Sequence, residues 1–188
     1  MTTAIRAGAV IDGTGGDPVR PAWVIIADGR IERIAGERPR DAEVIDASEL
    51  TILPGLIDSH VHLGITTFNA QEKLLTPSSL VTAQALFNAR ATLEAGITTV
   101  RDGGGTPRGV RLAVDRGLFP GPRMRLSVGA LSQTGGHGDQ LMPMGVVMRL
   151  PVDAERPMAV VDGVDAVRRG TRELLRAGAD QIKVLTSG

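Results

Sequence analysis

The chain has 188 residues, 42% of them hydrophobic, enough to bury one sizeable core or one small and one partial domain. Its 21 basic and 21 acidic residues cancel, which removes any electrostatic ground for nucleic acid or an anionic membrane as partner. Cysteine is absent, so thiolate metal sites, disulfides and cysteine nucleophiles are excluded, and any metal must take nitrogen and oxygen ligands.

The amino terminus, Met1-Thr2-Thr3-Ala4-Ile5-Arg6, carries no basic region followed by an apolar stretch. No segment reaches the roughly eighteen apolar residues of a spanning helix, so a soluble cytoplasmic protein is expected. Residues 1–54 read as short strands: Thr3 to Val10, Trp23 to Ala27, Arg30 to Ile34 and Val44 to Ala47. Asp28-Gly29 joins the second and third as a two-residue hairpin turn, because both positions tolerate positive φ. Too little apolar surface is present for an independent domain, so this sheet is expected to need other strands to complete it.

After Pro54 the pattern becomes strand, loop, helix, repeated. Leu56 to Leu63 is a strand, and a helix from about Leu80 to Ala95 follows, entered through Thr76-Pro77 and closed by Gly96. Ile97 to Arg101 is the second strand, with a short helix near Val110 to Arg116 ending at Gly117. Met124 to Val128 is the third, and a long loop, 129 to 161, carries Met142, Met144 and Met148. These methionines line a lid or, the preferred reading, pack against the sheet. A helix over Gly163 to Ala177 follows, with Asp162 as N-cap, an inward stripe of Val164, Val167, Leu174 and Leu175, and Gly178 as stop. Gln181 to Thr186 is the fourth strand. Alternating strands and helices imply a parallel sheet with right-handed crossovers, either open or closed into a barrel. A (β/α)₈ barrel takes about 250 residues, so 55–188 holds about four of its eight units. The fold class is therefore α/β, the first half of a (β/α)₈ TIM-type barrel preceded by part of a small β-sandwich.

Two of only three histidines, His60 and His62, stand on the first of these strands. Residues two apart on a strand share a face about 6 to 7 Å from one another, close enough to ligate one cation, and neutral imidazole is a common ligand for zinc and similar ions. The alternative is a pair of satisfied core histidines. Of the 21 basic residues only Lys73 and Lys183 are lysines, and Lys183 sits inside the apolar strand Gln181-Ile182-Lys183-Val184-Leu185. Burial disfavours the ammonium form, and a neutral amine can take up carbon dioxide as an anionic carbamate able to bridge two cations. A lysine snorkelling at a strand end is the alternative. His137 lies in the loop after the third strand, where barrel enzymes gather their sites; it either faces substrate or is held by local hydrogen bonds. Asp102, at the end of the second strand, is read as an orienting or turn residue outside the site. Gly103-Gly104-Gly105 lacks the pattern of a phosphate-binding loop and reads as a flexible turn.

Four segments together resemble the amidohydrolase superfamily, in the branch of imidazolonepropionase-like proteins and metal-dependent Xaa-Pro dipeptidases. They are Leu53-Pro54-Gly55-Leu56-Ile57-Asp58-Ser59-His60-Val61-His62, Gly96-Ile97-Thr98-Thr99-Val100-Arg101-Asp102, Ser132-Gln133-Thr134-Gly135-Gly136-His137-Gly138-Asp139 and Asp180-Gln181-Ile182-Lys183. The resemblance implies that His60 and His62 bind the more buried of two divalent metals, zinc with manganese or cobalt as alternatives, and that carboxylated Lys183 bridges both. It implies that His137 polarises the scissile carbonyl as a catalytic residue. Such enzymes take two further histidines from strands 5 and 6 and an aspartate from strand 8, positions that this chain does not contain. Lys183 favours the dipeptidase side, since the imidazolonepropionase reaction uses one metal and no carboxylated lysine.

The expected activity of the full-length protein is metal-dependent hydrolysis of an amide bond in a dipeptide or N-acyl amino acid. The competing expectation is a catalytically inactive truncated fragment, or one half of a two-chain assembly completed by a C-terminal half. Self-association into a homo-oligomer is left open.

Overall fold

The structure, a computed structural model, describes residues 2–141, 143–146, 155, 157 and 159–187. The chain divides into two compact units, residues 1–55 and 56–188.

In the first unit, β1 (Thr2–Val10), β2 (Ala22–Ala27), β3 (Arg30–Ala35) and β4 (Glu43–Ile52) form one sheet in the order β3-β2-β1-β4. The β2–β3 hairpin turns through Asp28 and Gly29 at φ 50° and 71°, the left-handed pair a two-residue turn demands. β1 pairs antiparallel with β2 and parallel with β4, and the β1–β4 register shifts between Ala7 and Ala9. Gly8 at that shift faces the Ser48 carbonyl oxygen, which a Cβ would meet at 2.3 Å, so only glycine lets the bulged strands approach. Ala7, Val10, Ala22 and Val24 are the buried centre, while Ile31, Ile45 and Leu50 stay exposed.

The second unit is a run of parallel staves with helices between them. β5 (Leu56–Val61) is followed by α1 (Ala70–Leu75) and α2 (Ser78–Glu94), β6 (Ile97–Asp102) by α3 (Arg108–Asp115). The third stave comes in two pieces, β7 (Arg123–Leu126) and β8 (Ala130–Ser132). Then come β9 (Ala159–Val160), α4 (Gly163–Arg176) and β10 (Lys183–Leu185). The sheets are β5-β6-β7 and β10-β8-β9, with every pairing parallel. Val128 at φ 53° and a tight Gly129 N–H to Ser127 carbonyl bond of 2.6 Å break the third stave between its halves. The expected strand Met124 to Val128 thus ends earlier and resumes beyond a kink. These staves are the first half of the barrel architecture, and the core lies between sheet and helices, around Leu63, Val100, Val110, Leu126, Leu131 and Leu174.

Four local expectations are corrected. Thr76 does not open α2: its N–H and Oγ1 both bond to the Glu72 carbonyl and close α1, a helix absent from the expected elements. Asp162 stands at the N-cap position of α4, but its carboxylate accepts from Thr134 N at 3.1 Å and from Thr134 Oγ1, not from its own helix. Those bonds hold its carboxyl below the ordinary carboxylate value of 3.8. The inward face of α4 is Gly170 and Leu174, with Leu174 1% exposed and Val164 73% exposed, because the helix meets the sheet at Gly170 beside Leu131 and Val161. Met144 is 92% exposed rather than packed against the sheet, while Met142 and Met148 lie outside the described residues. Among the described residues no helix is long and apolar enough to cross a membrane.

Candidate metal centre

β5 delivers His60, and His62 follows directly after its last residue. The β5–β6 register shifts between Asp58 and Val61, where the Asp58 carboxylate accepts from His60 N at 3.0 Å, so the strand leaves its ladder as it presents the first imidazole. The two rings lie with centroids 5.2 Å apart and planes at 55°. His62 Nδ1 is 2.9 Å from the Gly104 carbonyl oxygen. A carbonyl only accepts, so Nδ1 carries a proton, and in the neutral ring Nε2 keeps its lone pair, the tautomer in which a histidine held by a backbone carbonyl ligates a metal. Beneath the rings, a Cβ on Gly103 would stand 3.0 Å from His60 Nε2 and 3.0 Å from His62 Cε1. The glycine therefore leaves the space that the imidazoles occupy.

The glycine run is neither flexible nor open to phosphate. Gly103 N donates to the Val61 carbonyl at 2.8 Å, Gly104 N to Asp102 Oδ1 at 2.9 Å and Gly105 N to the Val128 carbonyl at 3.0 Å, so all three amides are engaged. Asp102 is fully buried, and its Oδ2 also accepts from Leu63 N at 2.8 Å and from Thr106 Oγ1 at 2.6 Å. Burial pushes its carboxyl above the ordinary range, against the opposing hydrogen bonds from Thr106, Leu63 and Gly104.

Lys183 begins β10, pairs with Ala130 of β8 and is half-buried, with Ile182 against the core and Val184 exposed. Enclosure is thus less complete than the apolar strand predicts. Lys183 lines a cleft of about 320 Å³ with His60, Gly103, Ser59, Arg101 and Gln181. The amine from the fourth stave and an imidazole from the first share one cavity. His137 lies apart from that lining, in the loop after β8, with an exposed ring. Its N–H donates to the Ser187 carbonyl at 3.0 Å, tying its loop to the segment after β10. Among the described residues no three His, Asp or Glu side chains gather as a metal site. The groups present fit a cation with nitrogen and oxygen preferences: a tautomer fixed by a carbonyl, a cradle without a Cβ, and an amine in the same cleft as one imidazole.

Sequence reasoning passed over Thr106 and Gln181 and kept Asp102, as an orienting or turn residue, and Gly103, as part of a turn, outside the site, although all four hold this arrangement together. The available signal was a carboxylate at a strand's carboxyl end with three glycines and a threonine behind it, a pattern that supplies donors to a buried anion.

Residues 51–188 match the amidohydrolase family. The ochratoxinase of Aspergillus niger is 34% identical over 206 aligned residues, covering 99% of this chain and 42% of that protein. A prolidase complexed with N-methylphosphonate-L-proline superposes with TM-score 0.83 at 36% identity, covering 98% of this chain and 46% of the other. A Xaa-Pro dipeptidase with bound methionine in its active site superposes with TM-score 0.80 at 28% identity, covering 98% and 47%. The chain thus spans less than half the length of these relatives. Motif, stave order and match agree: the chain belongs to the amidohydrolase family.

Proposed function

We propose that the complete protein is a metal-dependent hydrolase of an amide bond in a dipeptide or N-acyl amino acid. The carrying observation is the His62 Nδ1–Gly104 carbonyl bond, which leaves Nε2 free beside His60 and above Gly103. Amidohydrolases are in general metal-dependent, which supports the same reading. The proline phosphonate and the methionine bound by two relatives are amino-acid derivatives, which supports the substrate class.

In this reading His60, His62 and Lys183, as its carbamate, would hold two divalent metals, zinc with manganese or cobalt as alternatives. When bound, the metal supplies Lewis acidity and lowers the pKa of water. His60 and His62 donate neutral imidazole nitrogens, Gly104 holds the His62 ring in place, and His137 polarises the scissile carbonyl from the loop after β8. The first unit serves as part of a composite β-sandwich. The test is metal analysis and dipeptide hydrolysis by the full-length protein with and without Lys183→Ala. The variant is expected to lose metal and activity together; unchanged metal content with unchanged hydrolysis removes the proposal.

A second reading, that these 188 residues are catalytically silent by themselves, is favoured by the incomplete ligand set among the described residues. Dipeptide turnover by the isolated chain would overturn it.

A further inference from the structure

We propose that Asp102 is a positioning residue that locks His62 as the Nδ1–H tautomer and couples that lock to the stave carrying Lys183. Its carboxylate reaches both neighbours of the imidazole. Oδ2 accepts from Leu63 N, the residue after His62, and Oδ1 from Gly104 N, the residue whose carbonyl holds the His62 ring. Thr106 Oγ1 extends the grip: it donates to Oδ2 and accepts from Gly64 N at 2.9 Å. Gly64 lies so close that a Cβ there would stand 2.1 Å from the Gly105 carbonyl oxygen, so the two loops are clasped backbone to backbone. One fully buried anion thus fixes the loop that bears the histidine and the loop that bears its acceptor.

The main-chain carbonyl of the same residue points the other way. It accepts from Ser127 N, Ser127 Oγ and Gln181 Nε2, each at 3.1 Å. Ser127 marks the kink of the third stave, and Gln181 stands two residues before Lys183 in the cleft wall. Asp102 therefore joins all four staves at the level of the cleft. Carboxylate, not merely a polar group, is required: both oxygens accept from N–H or O–H donors, and an amide nitrogen at either position would face a donor.

The functional meaning rests on the reading of His62 as a metal ligand, but the test reads the ring without metal. Ring ¹⁵N–¹H correlation spectra of the metal-free chain, recorded above the imidazole titration, resolve its three histidines, assigned with His60→Gln and His137→Gln. His62 is expected as a single Nδ1–H tautomer. In Asp102→Asn it should shift to the mixed average of a free imidazole while His137 stays unchanged, and zinc affinity should fall about 10- to 100-fold. Leu174→Ala, which loosens the core elsewhere, should leave the His62 signals in place. A folded Asp102→Asn chain with His62 still locked overturns the proposal. Should that variant not fold, Thr106→Val decides, with partial unlocking expected and an unmoved signal overturning it. If the tautomer unlocks but zinc affinity does not change, the positioning role stands and the metal reading fails.

Discussion

Gly103 is the residue on which the site's dimensions turn. A methyl group there would stand 3.0 Å from atoms of both imidazoles, tighter than ordinary van der Waals contact, and the rings would have to separate or tilt. His62 cannot retreat without giving up its bond to Gly104. Gly103→Ala is therefore expected to weaken zinc binding by about 10-fold or more while changing thermal stability little, because the side chain projects into the cleft and not into the core. Isothermal titration with zinc beside a thermal melt checks both, and unchanged affinity would contradict the cradle. His60, His62 and Lys183 stood out as candidates because the chain has few histidines and fewer lysines. Asp102 was read as an orienting or turn residue outside the site, and Gly103 as part of a turn. Their role lies in backbone N–H groups and in a missing Cβ, neither of which leaves a mark in hydrophobic periodicity.

Among the elements, α4 shows why pattern and packing diverge. Periodicity selects its large apolar residues, yet the helix seats on the sheet through Gly170, with Leu131 and Val161 filling the space a side chain would take. Leu174 follows one turn later and is the large residue that this face buries. Leu174→Ala should cost about 2–5 kcal/mol of stability, whereas Val164→Ala should stay within about 0.5 kcal/mol, as read by urea unfolding. Equal costs would mean that the helix is rotated from the orientation described. The helix ends, by contrast, were readable: Gly96 and Gly178 stop α2 and α4 at φ 87° and 98°, where a side chain would be strained. The hairpin at Asp28-Gly29 was readable for the same reason. The short helix α1 escaped notice although Asn69 and Glu72 carry its signal: the Asn69 side chain accepts from Glu72 N at 3.1 Å. Two-residue β9 has no pattern of its own, since it exists only by pairing with β8.

At the scale of the molecule, the order of staves and crossovers followed from alternation of period, and the half-barrel reading followed from length. β5 and β10 are outer strands of their sheets, as are β7 and β9, each paired on one side only among the described residues, and β5 and β10 expose Ile57 and Val184. Unpaired N–H and C=O groups beside exposed β-branched residues are a template for further strand pairing. The 188-residue chain is therefore expected to self-associate with rising concentration in light scattering, and Ile57→Lys to reduce that association. A monomer at every concentration would contradict the expectation. The fracture of the third stave at Ser127–Gly129 has a consequence for the whole arc. β5, in the sheet before it, carries His60, β10, in the sheet after it, carries Lys183, and the kink lies between the two sheets. Gly129 sits in that joint with the Pro157 carbonyl oxygen 1.9 Å from where a Cβ would be, so at this point of the arc backbone lies directly against backbone and no side chain fits between them.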